Sequence, residues 1–220
     1  LGLDQLTSDF EYIGGSGLPF TGITEIIDNP TWRTRHVQDG GTNTVNVRLT
    51  LGGIAGSGGR YELNGGNLSA GEILVGDAGL GEIFHRGGVA EVRTGLTLGN
   101  AGGGEGRYLL AEIGSLDVDG NLVLGNSSGA TGSLLLDDNG QLTLDSVAQI
   151  GVAGFGEVAQ HGFSEFTAAG GLRLGGGSGT GEYLLAGDTV LNVGVSEIIG
   201  AGGVGEFTQT GGTHDVGQST

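Results

Sequence analysis

The stretch Leu96 to Val118, LTLGNAGGGEGRYLLAEIGSLDV, carries the pattern that decides the fold. It contains three short runs, Leu96-Thr97-Leu98, Tyr108-Leu109-Leu110 and Leu116-Asp117-Val118, separated by glycine-rich corners. In each run the first and third side chains share one face and are apolar, the period-two pattern of a half-buried strand. The glycine that closes the first run recurs at Gly52, Gly76, Gly99, Gly125, Gly151, Gly175 and Gly200, at spacings of 24, 23, 26, 26, 24 and 25. A repeat of that length, made of strand runs with no helical periodicity, predicts stacked coils that bury together what no single coil can bury. The expected fold is all-β: a single-stranded parallel β-helix, or solenoid, with three short strands per coil of about 25 residues. The coil length favours the right-handed, large-coil kind.

Of 220 residues 52 are Gly and 2 are Pro, a bias shared with disordered chains, but those lack a regular apolar period. The chain is expected to form one domain, with residues 1–45 as an N-terminal cap or irregular first coils and 46–220 as about seven coils. Twenty-five acidic residues face eight basic ones, all Arg, for a net charge of -17, which argues against nucleic acid as a partner. Cysteine is absent, so thiol chemistry and disulfides are excluded, and a solenoid needs no such staples. No apolar run approaches the roughly 18 residues of a membrane-spanning helix, and Leu1 does not begin a signal peptide. The chain therefore reads as a fragment of a larger mature protein, with flanking domains as partners.

The second run of each coil aligns on Gly, a polar residue and an apolar one, from Gly59-Arg60-Tyr61 to Gly205-Glu206-Phe207. Tyr61, Ile83, Tyr108, Leu134, Val158, Tyr183 and Phe207 are expected to stack inward as a ladder with rungs about 4.8 Å apart. Two residues on, the inward position reads Leu63, His85, Leu110, Leu136, Gln160, Leu185 and Gln209. His85 is the notable one, and a lone inward His is read as a hydrogen-bonded structural side chain; the other histidines show no metal-ligand spacing.

Arg60, Glu82, Arg107, Ser133, Glu157, Glu182 and Glu206 are expected to form one exposed column. Beside it run Glu62, Phe84, Leu109, Leu135, Ala159, Leu184 and Thr208, whose five middle members are apolar yet point outward. Phe84, Leu109, Leu135 and Leu184 are thus candidates for an association stripe, to be covered by the N-terminal segment, a flanking domain or a second copy in a homodimer. Corner residues such as Asp77, Asn100, Asn126 and Asp137-Asp138-Asn139-Gly140 read as turn-formers bonding their own main chain. The regular Asp spacing of calcium-binding solenoid repeats is missing, so no metal site or cofactor is expected, with calcium optional at most.

Residues before Val45 depart from the repeat and hold both prolines, Pro19 and Pro30, the only Trp, Trp32, and the cluster Arg33, Arg35 and His36. Terminal repeats are usually atypical, so capping is one reading. The other is a sugar site, with Trp32 and Tyr12 as stacking faces and Arg33 and Arg35 as donors.

Gly106-Arg107-Tyr108-Leu109-Leu110 and Gly205-Glu206-Phe207-Thr208-Gln209-Thr210-Gly211-Gly212 resemble the glycine-rich repeats of bacterial autotransporter passengers and sorted surface proteins. The likeness covers about Val47 to Gly217. Gln160-His161-Gly162 and Leu134-Leu135-Leu136 depart from it in detail. The resemblance implies an extracellular or cell-surface β-helix. It also implies a possible non-catalytic carbohydrate-binding module attached to a polysaccharide-degrading enzyme, since β-helices of this build occur in that role.

Three functions follow as expectations. The first is a module that binds a plant or bacterial polysaccharide, such as xylan or another β-glycan. The second is a structural spacer or adhesive passenger repeat. The third, a polysaccharide lyase or hydrolase, needs paired carboxyls or a base with a cation. Asp137, Asp138 and Asp117 or Glu112 could be neighbours, but they sit in repeat-equivalent corners of a chain without lysine, so the expected answer is no enzyme.

Overall fold

Each coil takes three strand positions in the order of the three runs. In the coil of Tyr108 these are the end of Val89–Leu98, then Glu105–Leu110, then Ser115–Val118. The computed structural model describes residues 3–6, 11–14, 20–27 and 33–217, which build an all-β solenoid of about seven turns with about 25 residues per turn. Pairing between strands is parallel throughout the named ladders, as a single-stranded β-helix requires. Nine strands stack on the second face, and a 14-stranded sheet carries the first and third faces together.

The two faces share a sheet for a local reason. Early in the chain the third and first runs fuse into the long strands Thr42–Leu51, Asn67–Val75 and Val89–Leu98, each bent where the register shifts at a bulge. From Ser115 onward the corner opens at Asp119-Gly120 and its equivalents, and the strands separate into the short pairs the repeat predicts. The N-terminal strands Phe20–Ile27 and Arg33–Gln38 pair in parallel with Thr42–Leu51 and Gly58–Leu63, and so extend the same sheets.

The inward residues form one continuous core, in which Leu49, Leu96, Leu122 and Leu172 stack on the first face and Leu68, Leu116, Leu142 and Leu191 on the third. Burying one such side chain contributes about 1.5–3 kcal/mol, so the stack rather than any one rung holds the fold. The second-face ladder runs Tyr61, Ile83, Tyr108, Leu134, Val158, Tyr183, Phe207 in unbroken register. Two glycines shape the corner between first and second faces. Gly99 has φ +70, which only a residue without a Cβ adopts freely, and a Cβ built on Gly106 would overlap the Val75 carbonyl oxygen and the Gly99 amide nitrogen. The backbone of one strand thus lies directly on the end of another, and the equivalent glycine recurs in every coil for that reason.

Tyrosine in the ladder obeys a pairing rule. Gln38 precedes Tyr61 by one coil, His85 precedes Tyr108 and Gln160 precedes Tyr183, and in each case the two side chains are hydrogen-bonded inside the core, at 2.5, 3.0 and 2.7 Å. Where the preceding residue is Leu63, Leu110, Leu136 or Leu185, the next ladder residue is Ile83, Leu134, Val158 or Phe207, none with a hydroxyl. A buried phenol needs a partner, and here one coil supplies it to the next. The same polar side chains tie down the following turn. Gln38 Nε2 donates to the Gly41 and Asn67 carbonyls, and Gln160 Nε2 to those of Ser164 and Val190.

Candidate functional surface on the second face

The second face alternates by strand geometry, so Arg107 and Leu109 point away from the core while Tyr108 and Leu110 point into it. Its middle row, Arg35, Arg60, Glu82, Arg107, Ser133, Glu157, Glu182, Glu206, stacks in register along the rod. The row is not uniformly exposed, contrary to the sequence expectation. Glu82 is only 5% exposed, because the Arg60 guanidinium folds over it at 2.8 Å and that of Arg107 approaches to 3.9 Å. Glu62, expected among the outward stripe, is likewise buried, clasped by both Nε and Nη2 of Arg35 at 2.7 Å. That charge-assisted pair holds the Glu62 carboxyl below the usual carboxylate range despite its burial. Toward the other end Glu157, Glu182 and Glu206 stack without an arginine in the row.

Beside the row, Phe84, Leu109, Leu135, Ala159 and Leu184 form the apolar stripe, each half-buried against its neighbours. The guanidiniums of Arg60 and Arg86 lie 4.6 and 5.3 Å from the Phe84 ring centre, a cation–π contact from each. Glu157, Glu182, Glu206, Tyr183, Leu184 and Thr208 surround a shallow hollow of about 220 Å³ at the acidic end.

Of the four candidate sugar-binding residues, Arg35 turns to Glu62, and Tyr12 and Arg33 occupy the register positions of His36 and Gly58. Trp32 and the side chains of Tyr12 and Arg33 lie outside the described residues, as do Pro19 and Pro30. At the corner of Asp137 and Asp138 the expected turn chemistry is present, with the Asp138 amide donating to Asp137 Oδ1 at 2.9 Å, but Asp77, Asn100 and Asn126 differ from expectation. Asn100 Nδ2 donates to Asp77 at 2.6 Å and Asn126 Nδ2 to Asn100 at 2.8 Å, a side-chain ladder running from coil to coil. Among the described residues no cluster of three or more His, Asp or Glu is placed to hold a metal ion. Asp117 has its carboxyl pushed upward by desolvation and by Asp119, Asp145 and Glu91 nearby.

His85 is fully buried and serves the core. Gly88 offers only a carbonyl to Nε2, 3.1 Å away, so Nε2 carries the proton and Nδ1 accepts from the Tyr108 hydroxyl. Burial lowers the His85 pKa from the ordinary 6.5 to about 4, and the bond to Gly88 opposes this only in part. Above pH 6.5 the imidazole is neutral whether the chain is folded or not. As pH falls below 6.5 the unfolded chain takes up the proton and the folded one does not, so stability declines until about pH 4. The His85 contribution to that loss is about 3 kcal/mol. Denaturant midpoints at several pH values, compared with His85→Gln, will measure it. Equal acid sensitivity in both proteins would assign the loss to carboxylates instead.

No family model matches this chain, and neither a curated protein nor a solved structure is significantly similar to it.

Proposed function

We propose that the chain is a non-catalytic structural rod, a spacer of extracellular or cell-surface kind that sets a distance between modules. One observation carries this reading: from Arg35 to Asn126, polar side chains that could serve a ligand are committed to the neighbouring coil. Arg35 holds Glu62, Arg60 holds Glu82, Asn100 holds Asp77 and Asn126 holds Asn100, each bond crossing one rung. A spacer needs stackable units and a hydrophilic surface, and its length is its working property.

The reading is tested by removing one coil. Gly132 and Gly156 are register partners, so deleting Ser133 to Gly156 joins equivalent points and takes out 24 residues. The expected product folds cooperatively and is shorter by one rung, about 4.8 Å, in small-angle X-ray scattering. In affinity electrophoresis neither it nor the parent is retarded by plant or bacterial polysaccharides. A deletion that cannot fold, or a parent that is retarded, would overturn the spacer reading.

A second reading, a polysaccharide-binding module, is favoured by the hollow beside Glu157, Glu182 and Glu206, whose carboxylates are acceptors for sugar hydroxyls. It is supported if the same gels show retardation that Glu182→Gln abolishes.

A further inference from the structure

We propose that the second face is the contact between two copies of this chain, packed antiparallel about a two-fold axis that runs along the strand Thr131–Leu136. Three features share that axis. The first is the middle row, whose charge is lopsided: Arg60 and Arg107 lie before Ser133, while Glu157, Glu182 and Glu206 lie after it. In sequence, only Arg173 of the eight arginines follows Arg107, whereas 13 of the 25 acidic residues do. Rotation about Ser133 sets Arg107 against Glu157 of the second copy, one coil out, and Arg60 against its Glu206, three coils out. Glu82 falls opposite Glu182, but it is already covered by the Arg60 and Arg107 guanidiniums, so the incoming carboxylate meets positive charge. A parallel arrangement would instead stack Arg60 on Arg60 and Glu206 on Glu206, and is disfavoured by repulsion.

The second feature is the apolar stripe. The same rotation lays Leu135 on itself, Leu109 on Ala159 and Phe84 on Leu184, a self-complementary surface of the kind an isologous dimer requires. The third lies at the adjoining corner. Ile113 and Phe163 are 77% and 68% exposed, and they occupy equivalent places one coil before and one coil after Asn139. Rotation brings each to the other at the rim. Seven rungs about 4.8 Å apart, with strands of six residues at about 3.3 Å each, give a face of roughly 670 Å² per copy. The total, about 1,300 Å², lies within the range of specific interfaces. The proposal does not depend on whether the rod spaces other modules, whereas a glycan held in the hollow of Glu157, Glu182 and Glu206 would compete with the second copy for the same face.

Sedimentation equilibrium tests it. The parent is expected to be a dimer at low ionic strength, with affinity falling at least tenfold as salt rises. Glu157→Arg opposes Arg107 and is expected to give monomers, while Arg107→Glu combined with Glu157→Arg restores the opposite charges and the dimer. Leu135→Asp places two carboxylates on the axis and is expected to abolish association. All three positions point outward, so circular dichroism should be unchanged, and should Leu135→Asp unfold the rod, the charge exchange decides alone. A parent that stays monomeric at low salt, a dimer that survives Leu135→Asp with its fold intact, or a double variant no tighter than Glu157→Arg would overturn the proposal.

Discussion

Replacing Gln160 with leucine is expected to destabilise the fold by about 3 kcal/mol, although leucine is the native residue at the same position in four other coils. The substitution keeps volume and adds apolar surface, so hydrophobic burial alone predicts little change or a gain. What it removes is the acceptor for the buried Tyr183 hydroxyl and both donors to the carbonyls of Ser164 and Val190. Burial also drives the Tyr183 phenol pKa well up, so the hydroxyl stays protonated and must donate. Tyr183→Phe alone should cost about 1.5 kcal/mol, by leaving the Gln160 oxygen unpaired. The double variant should cost about 2 kcal/mol rather than the sum, because the orphaned hydroxyl has gone and only the turn carbonyls remain bare. Urea denaturation of the four proteins measures the cycle. Additive losses would mean that the two side chains are not coupled.

Gly106→Ala is expected to cost at least about 3 kcal/mol, for a single added methyl group. The new Cβ has backbone on two sides, the Val75 carbonyl of the preceding coil and the Gly99 amide of its own, and neither can swing aside as a side chain does. Relief requires opening the first-to-second corner and thus the stacking of two coils. Gly176→Ala is the matched control, with the nearest atoms 3.6 Å from the built Cβ, and should change stability by less than about 0.5 kcal/mol. Thermal melts of both variants decide this, and similar melting temperatures would show that the corner has slack.

The same steric demand explains why the fold was readable. Because the corner admits no Cβ, glycine marks the same point in every coil, and the motif Gly-polar-apolar aligns all seven rungs of the second face as the structure pairs them. Alternation also gives the direction of each side chain. It does not report what a long neighbour covers, which is why Glu62 and Glu82 were expected at the surface and are found beneath arginines. Fusion of the early third and first strands was hidden for a similar reason, since a bulge leaves period-two patterning intact on either side of itself. The corner ladder of Asp77, Asn100 and Asn126 needed knowledge of which coils touch. The tyrosine pairs were in plain view, each Tyr 23 residues after its Gln or His, but the spacing has meaning only once that distance is recognised as one turn. The proposed surface is legible in part: the apolar stripe stands out, while its charge symmetry emerges only when the register is fixed.

The paired tyrosines bear on how such a chain finds one arrangement among many. Coils this alike can skip a neighbour and still bury leucine on leucine, so a stack with one turn looped out is a close competitor of the native one. Such a skip separates His85 from Tyr108, or Gln160 from Tyr183, and leaves a hydroxyl in the core with no acceptor. Three keyed layers therefore penalise slipped stacks where uniform layers would tolerate them. They also restrict how the gene can grow or shrink, because a duplication or loss that breaks between key and lock yields a coil that no neighbour completes.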